Sequence, residues 1–259
     1  MKFQFVFLTI FVATLELCTA NDYCSPSLCN GLQHIACNNN GNFAARCTNP
    51  IMVNFTQAHK NIILARHNSI RNEVAGGQAK LPRMHKRRHQ TKLKPACRMA
   101  TMKWDNELAR IAAFNVKQCQ RKHDDCRNTN TFRQSGQNLV RTGTLNVPEM
   151  LHKAIKLWYN EISSVQMSQI NSYPEGYISG IGRFTLMITD RNIRVGCAAA
   201  TYKATATNMR SFLMACNYAT TNIANRPIYK TCPTAASDCT TGTNIRYTNL
   251  CSTSESYSV

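Results

Sequence analysis

Apolar residues recur at three- and four-residue spacing in three segments of the chain, which is the pattern of a helix with one buried face. These segments cover residues 57–75, 105–119 and 147–163. Asp105 is a suitable N-cap for the second segment, and Pro148 suits the first turn of the third. The pattern therefore predicts three amphipathic helices.

Three strand-like stretches follow, at residues 182–189, 194–201 and 211–218. They are short, partly alternating between apolar and polar residues, and separated by polar turns, which favours an antiparallel meander. Residues 222–259 lack periodicity and contain three cysteines, so we expect a tail held in place by disulfides. Helices followed by a run of strands predict one α+β domain with short extensions.

The composition narrows the class of protein. Of the 259 residues, 43% are hydrophobic, which is enough for one sizeable core and excludes an intrinsically disordered chain. The 11 Gly and 8 Pro are too few for a collagen-like chain. Lys and Arg (31) outnumber Asp and Glu (13), and the resulting net charge of +18 bears on the choice of partner rather than on the fold.

The N-terminal segment has the pattern of a secretory signal peptide. Lys2 supplies a positive start, an apolar stretch runs from Phe3 to Leu15, and Ala20 is a small residue at a suitable cleavage position. Glu16 interrupts the apolar stretch, which is too short to span a membrane. Since no other segment is long and apolar enough to span a bilayer, we expect an exported protein that does not span the membrane.

Cysteine usage fits export. Of 13 cysteines, Cys18 lies in the predicted signal, and the remaining even set of 12 is most simply explained by six disulfides. A zinc cluster would need paired Cys-x-x-Cys spacings, and none occurs. Spacing alone leaves the pairing open.

These observations divide the chain into four parts: a signal peptide (1–20), a Cys-rich N-terminal segment (21–56), a main domain (57–221) and a C-terminal tail (222–259). Asn54-Phe55-Thr56 is a sequon for N-glycosylation, so Asn54 is a candidate glycan site.

Several stretches of the chain resemble one protein family. Residues 212–219 (FLMACNYA) resemble the second signature of the CAP superfamily, which comprises cysteine-rich secretory, antigen 5 and pathogenesis-related proteins, and residues 182–188 (GRFTLMI) resemble a degraded first signature. Residues 66–71 and 102–109 are similar to its opening helices. The N-terminal cysteines and residues 119–127 narrow the resemblance to the insect antigen 5 (venom allergen) branch, and the likeness covers about residues 21–220.

The resemblance implies an α-β-α sandwich, with a three-stranded antiparallel sheet between helical layers. It also implies four disulfides, which are Cys24–Cys37, Cys29–Cys126, Cys47–Cys119 and Cys197–Cys216. Four cysteines remain unassigned: Cys97, Cys232, Cys239 and Cys251. Their even number suggests two further bridges, one of which would tie the tail to Cys97.

Many CAP proteins carry two His and two Glu in a cleft that can hold a divalent metal. The matching positions here are His123, Gln137, Glu161 and Arg183. Arg183 has a permanent charge and no lone pair to donate, and Gln137 offers only a neutral carbonyl, so two good ligands are left where a catalytic zinc needs about three. We expect no metal, no cofactor and no catalysis in this cleft, and an ion pair between Arg183 and Glu161.

Other candidate catalytic residues have structural explanations. Ser135 lacks the Gly-x-Ser-x-Gly context of a nucleophile elbow. His67 is expected to be a hydrogen-bonded structural residue rather than a base. Asp124 and Asp125 could act as paired acids, but we expect both in a solvated loop between two cysteines.

The charge suggests what the protein binds. A basic run at residues 80–98 contains the patch Lys86, Arg87, Arg88, Lys92 and Lys94. It could dock an extracellular anionic partner, such as a sulfated glycan, an acidic protein or a lipid surface, and such binding would weaken with salt. It could equally be a solvated loop or a site of proteolytic processing. Nucleic acid is not expected, because the chain is exported and has no aromatic platform within the run.

The CAP resemblance adds lipid binding in grooves between helices. Met150, Trp158 and Tyr159 could line such a groove, although residues at this spacing more often belong to the core. We therefore expect a secreted, monomeric, non-enzymatic antigen 5-like binding protein. The alternatives are a metal-assisted hydrolase that uses His123 and Glu161, and a carrier of a sterol or small lipid.

Overall fold

The computed structural model describes residues 22–81, 92–144, 146–176, 179–204 and 208–259. The helices are α1 (Gln57–Ala75), α2 (Asn106–Val116), α3 (Val147–Tyr159), α4 (Met167–Asn171) and α5 (Gly182–Ile188). The strands are β1 (Thr48–Val53), β2 (Lys103–Trp104), β3 (Gly136–Gly143), β4 (Arg194–Lys203) and β5 (Arg210–Tyr218). Single turns of 3₁₀-helix cover Pro26–Leu28 and Asn160–Ser164. The predicted signal peptide lies outside the described residues.

The three predicted helices are present. Helix α1 ends at the predicted glycine pair, with Gly76 as its C-cap. The side chain of Asp105 accepts a hydrogen bond from the backbone N–H of Leu108 and so caps α2 as expected. Helix α3 begins with Asn146 as its N-cap and Pro148 in its first turn.

The described residues form one five-stranded sheet, which is larger than the expected three strands. Strands β1, β4, β5 and β3 lie side by side in that order with antiparallel pairing, and β2 pairs in parallel with β4. Strand β3 has few apolar residues, so its sequence gave no strand pattern. Its polar side chains Gln137 and Asn138 are nevertheless buried.

The prediction of a strand at residues 182–189 is wrong, because the structure has helix α5 there. Phe184 to Ile188 are all buried, including the polar Thr185, so burial does not follow the partial alternation of the sequence. A short apolar run that is buried on every side does not distinguish a helix from a strand by its periodicity.

The sheet lies between two helical layers, which confirms the α-β-α sandwich. Alternate residues of β5 point to opposite faces: Phe212, Met214 and Cys216 join the core formed with α1, α3 and α5, whereas Leu213 and Ala215 pack with α2. Gly196 allows α2 to lie directly on β4, because a Cβ atom there would sit 2.1 Å from the backbone nitrogen of Ala109.

Six disulfides link the described residues. Four are the pairs that the resemblance implies: Cys24–Cys37, Cys29–Cys126, Cys47–Cys119 and Cys197–Cys216. The other two are Cys97–Cys232 and Cys239–Cys251, so the C-terminal tail is attached to Cys97. Among the described segments, no helix has both the length and the apolar character needed to cross a membrane.

Candidate functional site

Gln137 is held in one orientation near the start of β3. Its side-chain nitrogen donates hydrogen bonds to Asp124 Oδ2 at 2.9 Å and to Asn217 Oδ1 at 3.0 Å. Its side-chain oxygen therefore faces the ring of His123, whose Nδ1 lies 2.8 Å away. Because an amide oxygen can only accept, the hydrogen bond requires a proton on His123 Nδ1.

This arrangement determines the state of His123. Desolvation lowers the pKa of His123, although its hydrogen bond with Gln137 acts in the opposite direction, so the ring is neutral at physiological pH. With the proton on Nδ1, the lone pair is on Nε2. The residue lines a cavity of about 560 Å³ between residues 33–44 and residues 115–125. His123 thus presents an acceptor, and not a charge, to this space.

The expectation of a solvated loop is wrong for Asp124. Its side chain is only 3% exposed and pairs with Arg127, whose Nε lies 2.5 Å from Asp124 Oδ1. Asp124 Oδ2 also accepts a hydrogen bond of 2.7 Å from Asn115 on α2. Asp125 is exposed, as expected. The two carboxylates therefore do not form an acid pair, since one of them is buried in a structural network.

Glu161 and Arg183 are the other two of the four cleft positions, which together with His123 and Gln137 we call the tetrad. The Arg183 Nε atom donates to Glu161 Oε1 at 2.6 Å, which is the ion pair expected from the sequence. The backbone N–H groups of Arg183 and Phe184 donate to Glu161 Oε2 at 2.6 and 3.0 Å. Glu161 therefore caps the first turn of α5, and both of its carboxylate oxygens already accept hydrogen bonds.

The two pairs approach β3 from opposite faces of the sheet. Gln137 contacts Asn217 on the face covered by α2, whereas the next residue, Asn138, contacts Tyr218 on the face covered by α1, α3 and α5. The side chain of Asn138 also donates to the backbone oxygen of Arg183 at 2.9 Å. None of the hydrogen bonds described for the tetrad joins the His123 pair to the Glu161 pair directly.

The donor atoms do not fit a metal ion. In the described part of the chain, the one cluster of His, Cys, Asp or Glu atoms close enough to share an ion consists of Cys97, Cys232 and Asp238. Its two sulfurs form a disulfide and are therefore not thiolates. In the cleft, His123 Nε2 is the one uncommitted ligand, while the guanidinium of Arg183 lies on the Glu161 carboxylate.

His67 and Ser135 have structural roles. His67 is fully buried; its Nδ1 lies 2.8 Å from the backbone oxygen of Ile63, so this nitrogen carries the proton. Its Nε2 therefore accepts from the hydroxyl of Tyr218 at 2.9 Å, and burial lowers the pKa of His67 to about 4. The hydroxyl of Ser135 donates to the backbone oxygen of Tyr218 at 2.9 Å. Neither residue is available as a nucleophile or base.

The other candidate residues lie away from the cleft. Asn54 is exposed between β1 and α1, and its glycosylation stays a prediction. Lys92 and Lys94 are exposed, whereas Lys86, Arg87 and Arg88 lie outside the described residues.

The residues suggested for a lipid groove belong largely to the core. Met150 and Trp158 are buried at 3% and 0% exposure, and the indole N–H of Trp158 donates to the backbone oxygen of Leu139 at 3.2 Å. Tyr159 is partly buried, with its ring edge-on to Phe184. These side chains are packed, as expected of a helical stripe.

Sequence reasoning missed Asn115 and Asn217, which hold Asp124 and Gln137 in place. Both are buried amides, at 2% and 0% exposure. Asn217 lies within the signature-like segment 212–219, which was the one available signal for it. Asn115 gave none, because a single Asn in an amphipathic helix has no distinctive pattern.

Comparison with known proteins supports the resemblance to the CAP superfamily. The model of the CAP family, described as the cysteine-rich secretory protein family, matches residues 64–218. Venom allergen-1 of Aedes aegypti is 38% identical over 247 residues, covering 92% of this chain and 89% of its own. Antigen 5 like allergen Cul n 1 of Culicoides nubeculosus is 36% identical over 208 residues, covering 74% and 88%.

A solved structure supports the fold. The crystal structure of NaASP2 with Zn²⁺ superposes with a TM-score of 0.60 at 22% identity, covering 81% of this chain and all of that one. At this identity the likeness establishes the architecture alone. The family match and the insect relatives show that this chain belongs to the CAP family of cysteine-rich secretory proteins, in its antigen 5 branch.

Proposed function

We propose that this protein is a secreted, non-enzymatic antigen 5-like protein that binds an extracellular anionic partner. The observation that carries the non-enzymatic part is the saturation of the Glu161 carboxylate by Arg183 and by two backbone N–H groups. A metal-assisted hydrolase would need this carboxylate as a ligand, together with a second imidazole where Arg183 now stands.

Secretion is supported by the relatives and by the disulfides. The similar proteins are called venom allergens and antigen 5 allergens, and six disulfides persist only in an oxidising compartment. The predicted signal peptide agrees with this.

Zinc titration of the mature protein by calorimetry tests the non-enzymatic part. We expect no cleft site in the wild type, because one imidazole nitrogen is left where about three ligands are needed. A site of micromolar affinity that disappears in His123→Ala would overturn the proposal. NaASP2 was crystallised with Zn²⁺, so it can be titrated alongside as a comparison.

Anion binding is supported by the net charge of +18, of which the basic run is the densest part. Chromatography on immobilised heparin tests it: replacing Lys86, Arg87 and Arg88 with Gln should lower the salt concentration needed for elution. The matched control replaces three lysines outside the run, Lys122, Lys153 and Lys156, which are all exposed. Equal retention of the two triple variants would contradict a role for the basic run.

A further inference from the structure

The C-terminal segment covers a second cavity, which shares no lining residue with the cavity beside His123. Residues 252–257 close it from one side, and Thr101, Lys103 and Arg194 line it from the body of the domain. Its volume is about 310 Å³, at the lower end of the range of about 300–1,000 Å³ that small-molecule sites occupy. The space is thus suited to one small chemical group.

Two positive charges meet in this cavity. Lys103 on β2 and Arg194 on β4 are register partners in the parallel strand pair, so their side chains leave the sheet at neighbouring positions. Like charges at paired strand positions destabilise a sheet. Desolvation and, to a smaller extent, the charge of Arg194 lower the pKa of Lys103.

The two charges have no acidic partner in the part of the chain that the structure describes. The ion pairs of the described residues include neither Lys103 nor Arg194. Lys103 Nζ instead donates to the backbone oxygen of Thr253 at 2.8 Å, and Arg194 Nη1 makes a long contact of 3.4 Å with the backbone oxygen of Trp104. With respect to the described residues, most N–H donors of the Arg194 guanidinium are therefore available.

The acidic residue that lines the cavity is already committed. Glu255 accepts from Arg98 Nε at 2.7 Å and from the backbone N–H groups of Thr240 and Thr241 at 3.0 and 2.7 Å. Its charge is thus balanced by Arg98 and leaves Lys103 and Arg194 uncompensated. The cavity retains an excess positive charge in a partly desolvated space.

We propose that this cavity binds a single sulfate or phosphate group between Lys103 and Arg194, beneath the C-terminal segment. A guanidinium presents two parallel N–H donors to the oxygens of such a group, and a lysine adds a point charge. The hydroxyl groups of Ser252 and Ser254 lie on the same lining. Among the described residues of the basic run, which are 80–81 and 92–98, none lines the cavity.

Calorimetric titration of the mature protein with inorganic sulfate and inorganic phosphate, at constant ionic strength set with chloride, tests the proposal. We expect saturable binding of at least one ion with a stoichiometry of one. Arg194→Gln and Lys103→Gln should each weaken it at least tenfold, whereas Lys153→Gln, which removes one exposed charge on α3, should leave it unchanged.

A second measurement separates a binding role from a structural one. In chloride alone, Arg194→Gln should melt at the same temperature as the wild type or above it, since the change removes like-charge repulsion and only one long hydrogen bond. Sulfate should then raise the melting temperature of the wild type more than that of Arg194→Gln. The general stabilising effect of sulfate acts on both proteins and cancels in this comparison.

Titration with a heparin-derived sulfated disaccharide distinguishes a sulfated glycan from a free ion as the ligand. Binding at least tenfold tighter than inorganic sulfate would identify a sulfated glycan, and equal affinities would identify the free ion; both support the site. Absence of sulfate and phosphate binding would overturn it, as would wild-type affinity in either folded variant, or binding only to vesicles that contain anionic lipid.

Discussion

The Glu161 carboxylate receives both the guanidinium and the backbone N–H of Arg183, each at 2.6 Å. One residue thus neutralises the buried charge and also lies in the first turn of the helix that Glu161 caps. A histidine at position 183 would retain the backbone contact and lose the permanent charge. The substitution therefore converts an acidic cleft position into part of the scaffold.

These contacts predict that removing Glu161 lowers the free energy of unfolding more than removing Arg183. Glu161→Ala leaves the buried N–H of Phe184 without an acceptor, so we expect the free energy of unfolding to fall by about 2–3 kcal/mol. Arg183→Ala should cost about 1 kcal/mol or less, because the side chain is 37% exposed. Chemical denaturation measures both. A larger loss for Arg183→Ala than for Glu161→Ala would contradict the capping role.

His67 predicts a loss of stability in acid. Its pKa falls from 6.5 to about 4 on folding, so the unfolded chain takes up a proton that the folded chain refuses as the pH falls through this window. Above pH 6.5 His67 does not lower the free energy of unfolding, because the ring is neutral in both states. Between pH 6.5 and pH 4 this residue lowers the free energy of unfolding by about 3 kcal/mol. The pH dependence of denaturation should be shallower in His67→Gln. The exposed His152→Gln is the control and should keep the wild-type slope.

The contacts of Arg71 predict that its removal strongly lowers the free energy of unfolding. Its guanidinium is fully buried and donates to the backbone oxygens of Ala100, Met187, Thr189 and Asp190, at 2.8 to 3.1 Å. Removing it leaves several buried acceptors without donors.

We therefore expect Arg71→Met to lower the free energy of unfolding by about 4 kcal/mol. The matched control is Arg66→Met, because Arg66 is exposed on the same helix and should cost less than about 0.5 kcal/mol. Thermal and chemical denaturation give the comparison, and similar losses in the two variants would contradict it.

The Cys97–Cys232 bridge predicts how the tail is held. It joins residues 135 apart, whereas Cys24–Cys37 joins residues 13 apart. A longer loop loses more chain entropy when it is closed, so Cys97→Ser/Cys232→Ser should cost about 5 kcal/mol against about 3 for Cys24→Ser/Cys37→Ser.

Limited proteolysis gives a direct readout for the tail. We expect new cleavage between residues 222 and 259 in Cys97→Ser/Cys232→Ser and not in Cys24→Ser/Cys37→Ser. Peptide mapping without reduction should recover a peptide that joins Cys97 to Cys232. Recovery of Cys97 as a free thiol would contradict the bridge.

Helices α1, α2 and α3 were predictable because each is defined by its own residues. The apolar stripe of α1, the Asp105 cap of α2 and the start of α3 at Val147 are local features, and the structure contains all three. Local pattern failed for α5 and missed strands β1, β2 and β3. In α5 and in the first half of β3, contacts with distant parts of the chain bury polar and apolar residues alike, so burial there does not follow residue polarity.

The candidate site was likewise predictable from the sequence only in part. Residue chemistry was enough to expect that Arg183 would pair with Glu161 and that the cleft lacks a ligand set. The burial of Asp124 was not predictable, because it depends on Asn115 and Gln137, each at least nine residues away along the chain.

Local pattern thus specifies helices α1, α2 and α3 and the even set of cysteines, since these depend on the residues themselves and on their neighbours in the chain. Residue chemistry alone predicts that the cleft lacks a set of metal ligands. Long-range packing specifies which face of the sheet each cleft residue occupies and which nitrogen of His123 carries the proton. It also places Lys103 opposite Arg194. These features depend on contacts between residues far apart in sequence, and such contacts form only once the sheet has assembled.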